Sequence, residues 1–137
     1  MIATIEKKLE LDQSPNDVWR ALTETSEVTS LYGDSAAYTP EAGGEGWFGW
    51  ESNGRFAMKI EQFEPPNRLA WRWAREADKP LAESHSTLVE WVLLPREDGG
   101  TTLLLKESGF ATEQSFRENT DGWKQELQHL VGFLNRA

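Results

Sequence analysis

The longest amphipathic pattern of the chain lies at its end, in NTDGWKQELQHLVGFLNR, residues 119–136. Apolar side chains recur there at i, i+4, i+7, i+8 and i+11, which is the spacing of one face of an α-helix. No stretch before residue 111 has a helical pattern of comparable length, so we predict one long helix, with residues 110–118 leading into it. Its apolar positions are Trp123, Leu127, Leu130, Val131 and Leu134.

Most of the remaining chain alternates between apolar and polar residues, as half-buried β-strands do. Residues 3–11 form the first such stretch, and Lys7 interrupts its apolar face. Five or six further strands are expected between residues 35 and 109, because turn sequences such as Asn53-Gly54 separate the apolar runs. Consecutive strands joined by short turns predict an antiparallel meander.

Two short helices are expected between the first strand and the meander. Ser14 suits the N-cap of the first helix, Pro15 suits its first position, and Asp17 lies where the helix dipole favours a negative charge. A second short helix is expected from Thr25 to about Gly33. These helices would cross one end of the sheet and would not form a separate domain.

The order of these elements predicts an α+β fold in a single domain that spans residues 1–137. A long amphipathic helix that follows a run of strands needs a sheet to cover its apolar face. We therefore expect a curved antiparallel sheet of six to seven strands that wraps around the C-terminal helix, in the order β-α-α-β5-6-α. A chain of 137 residues is long enough to bury a proper core.

Charge and composition exclude several classes of function. The net charge of −9 disfavours nucleic acid and anionic membrane surfaces as partners. The chain has no cysteine, so it has no disulfide, thiol nucleophile or thiolate metal site. The start of the chain resembles no signal peptide, and no apolar run is long enough to span a membrane. We therefore expect a cytoplasmic protein without stable membrane insertion.

No motif in the chain predicts a catalytic residue, a metal site or a cofactor. His85 and His129 lie far apart on different elements, where a solvated histidine is expected, and without cysteine they make a poor zinc site. The serines lack a motif that would activate a hydroxyl group. The glycine-rich residues 43–46 do not lie between a strand and a helix, so they are interpreted as a turn and not as a phosphate loop.

Glu107 follows Leu103 and Leu105 on the apolar face of the last strand, and this position allows two interpretations. A carboxylate that faces an interior cavity would accept a hydrogen bond, or would act as a base with a raised pKa. Alternatively, the strand has reached the rim of the sheet and Glu107 is solvated, which is favoured because ionised groups are seldom buried unpaired. Arg72 and Arg75 are expected to point outward, although Arg75 lies where it could meet an acidic ligand group.

Several short motifs, in this order along the chain, resemble those of a known family. The set is similar to that of the heat-shock-protein-90 ATPase activator homologue family, within the START and birch-pollen-allergen superfamily, whose fold is the helix grip. The motifs are Ser14-Pro15 with residues 18–22, Gly43-Gly44 before an aromatic strand, residues 65–69 leading into Trp71 and Trp73, residues 87–90, Gly100-Thr101, residues 107–110, and Gly122-Trp123 with Leu127 and Leu130.

The resemblance implies an internal cavity that binds hydrophobic small molecules in many relatives. It does not imply one reaction or ligand. The eukaryotic chaperone activators carry a separate amino-terminal domain for their main chaperone contact, and we expect no such domain in this chain. The resemblance alone therefore does not imply chaperone activation.

The seven tryptophans are many for a chain of this length, and they can either pack a core or line a cavity. For any one of them burial in the core is the commoner role, whereas the cavity implied by the resemblance favours a lining role for the group. Trp47 and Trp50 cannot both point inward from a regular strand, and we choose Trp50. The candidate ligand-binding residues are Phe48, Trp50, Trp71, Trp73, Val89, Trp91, Leu105, Glu107, Trp123 and Leu127.

We therefore expect a domain that binds a small hydrophobic molecule, aromatic or lipid-like, between the sheet and the long helix. The first alternative is a protein-interaction module that acts through its acidic surface, with a protein partner or a second copy of the chain. The second alternative is a cyclase-like or hydratase-like enzyme, for which Glu107 is the candidate base. Binding is favoured over catalysis because no other residue is a candidate for acid–base chemistry.

Overall fold

A computed structural model of the protein describes residues 4–24, 35–50 and 54–136. The second short helix expected from Thr25 to about Gly33, and Asn53 of the predicted hairpin turn, lie outside these ranges. None of the described helices is both long and apolar enough to cross a membrane.

The described residues form a seven-stranded antiparallel sheet and two α-helices. The strands lie in the order β1-β7-β6-β5-β4-β3-β2, so β2 to β7 form a meander and β1 pairs with its last strand. This confirms the predicted α+β helix-grip fold. The elements are β1 Ile5–Leu11, α1 Pro15–Thr23, β2 Ser35–Tyr38, β3 Glu45–Trp50, β4 Gly54–Glu64, β5 Arg68–Ala74, a 3-10 turn Leu81–Glu83, β6 Ser86–Pro95, β7 Thr101–Ser108 and α2 Glu113–Arg136.

Helix α1 begins where its capping sequence predicts. The Ser14 hydroxyl accepts a hydrogen bond from the backbone N–H of Asp17 over 3.2 Å, and Pro15 occupies the first turn. Val18 and Leu22 lie on the buried face, at 0% and 1% exposure. The N-cap and the apolar stripe therefore confirm the prediction for this helix.

Helix α2 begins at Glu113, earlier than the predicted start at residue 119. Thr112 caps this first turn, because its hydroxyl accepts a hydrogen bond from the backbone N–H of Ser115 over 3.0 Å. Phe116 then packs edge-on against Phe110 at a ring distance of 5.7 Å. The prediction missed this segment because only Phe116 extends the apolar stripe there, whereas Thr112 was an available capping signal.

The core lies between the concave face of the sheet and α2. The inward positions of the central strands alternate as predicted, and Trp71 pairs with Val89 while Trp91 pairs with Leu105. Trp91 contacts Trp123 of α2 edge-on at a ring distance of 5.4 Å. The helix residues that complete this core are Leu127, Leu130 and Leu134, all buried, with Val131 packed at its margin.

Candidate ligand-binding site

A cavity of about 250 Å³ lies between α2 and the ends of β3 and β5. Three tryptophans form its apolar surface, and charged and amide side chains form the rest. Because the lining combines residues of the sheet and of α2, the shape of the cavity depends on how α2 packs across the sheet. The lining residues are Trp50, Trp73, Arg75, Asn119, Gly122, Trp123, Gln125 and Glu126.

The tryptophan wall combines residues from three elements. Trp73 of β5 stacks on Trp123 of α2 with a ring distance of 5.8 Å and an interplanar angle of 25°. Trp50 of β3 meets Trp73 edge-on at 6.5 Å. Such a group of indole faces suits a flat apolar molecule, because aromatic rings pack in offset-stacked or edge-on arrangements.

Trp50 lines the cavity because of the alternation of side chains along β3. Phe48 and Trp50 share the inner face, where Phe48 is 1% exposed and Trp50 packs against the core. Trp47 lies on the other face, with the guanidinium of Arg55 over its ring at 3.9 Å. The structure thus confirms that Trp50, and not Trp47, points inward.

Glu107 is completely buried behind this wall, so the interpretation of a solvated residue at the rim is wrong. Its carboxylate accepts four hydrogen bonds from described residues, which compensates the cost of burying the charge. Oε2 accepts from Trp73 Nε1 at 2.8 Å and from the Thr87 hydroxyl at 2.5 Å. Oε1 accepts from Trp123 Nε1 at 2.7 Å and from Asn119 Nδ2 at 2.9 Å.

Asn119 connects Glu107 to the guanidinium of Arg75. Asn119 donates to Glu107 through Nδ2, and its Oδ1 accepts from Arg75 Nη1 over 2.7 Å. Burial lowers the pKa of Arg75, and the negative charges of Glu107 and Glu118 act in the opposite direction. Arg75 is half-buried and lines the cavity. The expected outward orientation of this residue is therefore wrong. Its guanidinium also lies over the Trp73 ring, at 4.8 Å.

Arg72, in contrast, points outward as predicted, and its Nε lies 3.2 Å from Glu61 Oε1. The two arginines differ because Arg72 alternates with the inward Trp71 and Trp73, whereas Arg75 follows the end of β5 and turns toward α2. Arg75 thus brings a positive charge to the cavity because it lies just after the end of β5.

Glu126 is the second ionisable group of the cavity lining. Burial raises its pKa to about 7, because water no longer stabilises the charged form fully. Its Oε2 is buried without a hydrogen-bond partner among the described residues, and so is Nε of Arg75. Both atoms are enclosed by their neighbours, so neither is accessible to solvent.

The raised pKa of Glu126 predicts a pH-dependent loss of stability. The unfolded chain releases this proton near pH 4.5 and the folded chain near pH 7. As the pH rises from 4.5 to 7, this group therefore lowers the free energy of unfolding. We expect Glu126→Gln to raise the thermal midpoint at pH 8 and to change it little at pH 4.5. Thermal unfolding at both pH values, with the exposed Asp121→Asn as control, checks this; an equal shift at both would contradict it.

The structure places the predicted ligand-binding residues in three parts of the fold. Trp50, Trp73 and Trp123 line the cavity, and Glu107 lies directly behind it, bonded to two of these indoles. Leu127 instead borders a separate groove beside Lys7 and Leu9 of β1. The others are buried in the core between sheet and helix, and a direct ligand contact for them stays a prediction: Phe48, Trp71, Val89, Trp91 and Leu105.

Five lining residues lie on α2, and of these only Trp123 was predicted, although the spacing of four of them carries a signal. Asn119, Gly122, Trp123 and Glu126 lie at i, i+3, i+4 and i+7, so they share one face of the helix. A Cβ atom at Gly122 would meet nothing within 4 Å, so the glycine faces open space.

The remaining sequence predictions concern metals and histidines. His85 and His129 are both exposed, as expected. Within the residues that the structure describes, no group of three or more histidine and acidic side chains could hold a metal ion.

The long helix gripped by a curved antiparallel sheet, with a cavity between them, defines a helix-grip protein. Residues 12–135 match the family described as "Activator of Hsp90 ATPase homolog 1-like protein". Because the match covers nearly the whole sequence, the chain belongs to this family, as the resemblance of its motifs predicts. A comparison with curated proteins finds no match.

Solved structures share the fold along almost the entire chain. Protein MLL2253 from Mesorhizobium loti is 23% identical, with 98% of each chain covered and a TM-score of 0.86. CalU16 from Micromonospora echinospora is 26% identical, with a TM-score of 0.77 over 96% of this chain and 75% of that one. PFC0360w, an HSP90 activator from Plasmodium falciparum, is 16% identical, with 96% of each chain covered and a TM-score of 0.79.

Proposed function

We propose that the protein binds a small, flat, apolar molecule in the cavity between α2 and the ends of β3 and β5. The observation that carries the proposal is the convergence of three indoles, from Trp50, Trp73 and Trp123, on a cavity with an open position at Gly122. Binding would remove apolar surface from water and place the ligand against aromatic faces.

The size of the cavity favours one class of ligand over another. Pockets for drug-sized ligands have volumes of roughly 300 to 1,000 Å³, whereas this cavity, which is open on one side, has a volume of about 250 Å³. A molecule of one or two fused rings suits this volume better than a sterol or a long acyl chain. Of the aromatic and lipid-like ligands expected from the sequence, we therefore favour the aromatic class.

Binding is proposed in preference to catalysis because Glu107 is already fully hydrogen-bonded. Two indole N–H groups, a hydroxyl and an amide donate to its carboxylate, and the side chain is 0% exposed. A general base must reach the proton that it abstracts. We assign Glu107 the role of holding the tryptophan wall and Asn119 in place.

Trp50→Ala tests the proposal, and Trp47→Ala is its matched control. Both residues belong to β3 and are half-buried, but only Trp50 lines the cavity. Losing one indole contact should weaken the binding of a fused-ring probe such as naphthalene or coumarin by about tenfold or more. Isothermal titration calorimetry measures this, with a sterol and a fatty acid as probes that are too large.

We expect Trp47→Ala to bind the probes as the wild type does. Equal weakening by both variants would assign the effect to the stability of β3. A wild-type protein that binds no fused-ring probe would refute the proposed function. Thermal unfolding of both variants confirms that the comparison is made between folded proteins.

Membership of this family supports a second candidate function, which is an interaction with a protein partner. The matching family is described by the activation of Hsp90 ATPase, and one similar structure is that of an HSP90 activator. Such an interaction through the acidic surface would weaken with salt and would survive the loss of Trp50. Salt dependence and Trp50→Ala thus separate the two functions.

A further inference from the structure

A groove of about 360 Å³ lies between α2 and β1, and it shares no lining residue with the tryptophan-lined cavity. The helix contributes four positions to it at i, i+3, i+4 and i+7, which form one face of α2. The strand contributes two positions from its inner face. The lining residues are Lys7, Leu9, Lys124, Leu127, Gln128 and Val131.

Lys7 is the unusual residue of this groove, because it occupies an inner-face position of β1. It alternates with Ile5 and Leu9 and pairs with Leu105 of β7, and both Ile5 and Leu105 are buried. An apolar side chain at this position would bury more surface against the core. The fold therefore has a positive charge where packing alone would favour an apolar residue.

Lys124 adds a second positive charge from the helix side of the groove. Neither Lys7 nor Lys124 forms an ion pair with another residue that the structure describes. None of the described lining residues is acidic, although the chain has 23 acidic and only 14 basic side chains. Asp121 precedes Lys124 by one helical turn but lies outside the lining. The charges of the groove thus complement a negatively charged ligand group.

The apolar part of the groove is aliphatic. Leu127 is buried, and Leu9 and Val131 are half-buried at the margin of the core. None of the described lining residues is aromatic, whereas three indoles line the other cavity. Such a surface suits a flexible alkyl chain better than a flat ring. Its volume, about 360 Å³, lies at the lower end of the range of roughly 300 to 1,000 Å³ for ligand pockets and favours a short chain.

We propose that this groove is a second binding site, which takes a short-chain alkyl carboxylate. The chain lies against Leu9, Leu127 and Val131, and the carboxylate pairs with the ammonium groups of Lys7 and Lys124. The site goes beyond the proposed function and does not depend on it, because the two sites share no residue. A fatty acid held here binds equally to the wild type and to Trp50→Ala, so that variant separates the two sites.

Four probes test the site by NMR titration of the ¹⁵N-labelled protein: octanoate, 1-octanol, octylammonium and acetate. Octanoate should bind about five- to tenfold more tightly than 1-octanol, because each partly exposed ion pair strengthens binding only a few-fold. This preference should decline with salt. Octylammonium has the wrong charge and acetate has no chain, so neither should bind. The backbone signals of Leu9, Gln128 and Val131 should shift with octanoate, while the indole signal of Trp50 should not.

Variants assign the carboxylate to the two lysines. Lys7→Leu should fold at least as stably as the wild type, because it adds an apolar side chain to the inner face of β1. It should bind 1-octanol as the wild type does and lose about threefold in its preference for octanoate, as should Lys124→Gln. Lys8→Gln is the matched control, because Lys8 is exposed on the outward face of β1 and its loss changes the net charge equally. Thermal unfolding checks the stability of each variant.

Each alternative outcome contradicts the inference. If octanoate shifts the Trp50 indole signal and not the signal of Val131, the ligand binds in the tryptophan-lined cavity and the inference is overturned. Equal affinities for octanoate and 1-octanol, or an equal loss of preference in Lys8→Gln, would mean that Lys7 and Lys124 do not recognise the carboxylate. If no probe shifts the groove signals, the site is refuted, while the binding of fused-ring probes beside Trp50 is tested separately.

Discussion

Replacement of Glu107 by glutamine should lower the free energy of unfolding by about 3 to 5 kcal/mol, the cost of breaking a buried, hydrogen-bonded charge. The carboxylate accepts from Trp73, Thr87, Asn119 and Trp123. Glutamine has one acceptor oxygen, and its NH2 group would face donors at the other position. The substitution would also remove the negative charge that interacts with the half-buried Arg75.

Urea denaturation followed by tryptophan fluorescence measures this loss. Glu90→Gln is the matched control, because Glu90 lies on the outward face of β6 opposite Lys106 and should change stability by no more than about 0.5 kcal/mol. A loss below about 1 kcal/mol in Glu107→Gln would contradict the structural role. If that variant instead stayed stable and lost ligand binding alone, Glu107 would belong to the binding surface.

The fold could be predicted from the sequence because its dominant signals are local. Strict alternation marks β5, where Leu69, Trp71 and Trp73 are all buried, and helical spacing marks α2. The start of α2 was missed because its first turns carry polar residues, and there capping by Thr112 and not burial decides the boundary.

The site could be predicted only in part because its chemistry depends on distant residues. The sequence places Glu107 on an apolar face. Because ionised groups are seldom buried unpaired, a solvated position at the rim of the sheet is then favoured for this residue. Its donors lie on β5, β6 and α2, up to 34 residues away along the chain. No local pattern shows that they converge, so the sequence could not decide between the buried and the solvated interpretation of Glu107.

The tryptophans show the same limit. Sequence alternation correctly separates Trp50 from Trp47, because it is a property of one strand. It does not separate Trp73, which lines the cavity, from Trp71 and Trp91, which are buried in the core. That difference depends on where α2 crosses the sheet.

Replacement of Gly122 by leucine should abolish ligand binding without loss of stability. A Cβ at Gly122 meets no atom within 4 Å, and the residue lines the cavity, so a leucine side chain would occupy the volume proposed for the ligand. Removing a glycine from a helix stabilises it by about 0.5 to 1 kcal/mol. The variant should therefore fold at least as well as the wild type, while its affinity for coumarin or naphthalene falls about a hundredfold or more, since the ligand and the side chain compete for one space.

Gly132→Leu provides a control in the same helix. A Cβ at Gly132 also meets nothing within 4 Å, but the residue does not line the cavity. Both variants gain the same helix propensity, so thermal unfolding should show comparable midpoints, whereas calorimetry should show normal binding in Gly132→Leu alone. Equal affinities in both variants would place the ligand elsewhere in the fold. A loss of stability confined to Gly122→Leu would mean that α2 and the sheet must approach each other closely there, and that the space beside Gly122 is not kept open for a ligand.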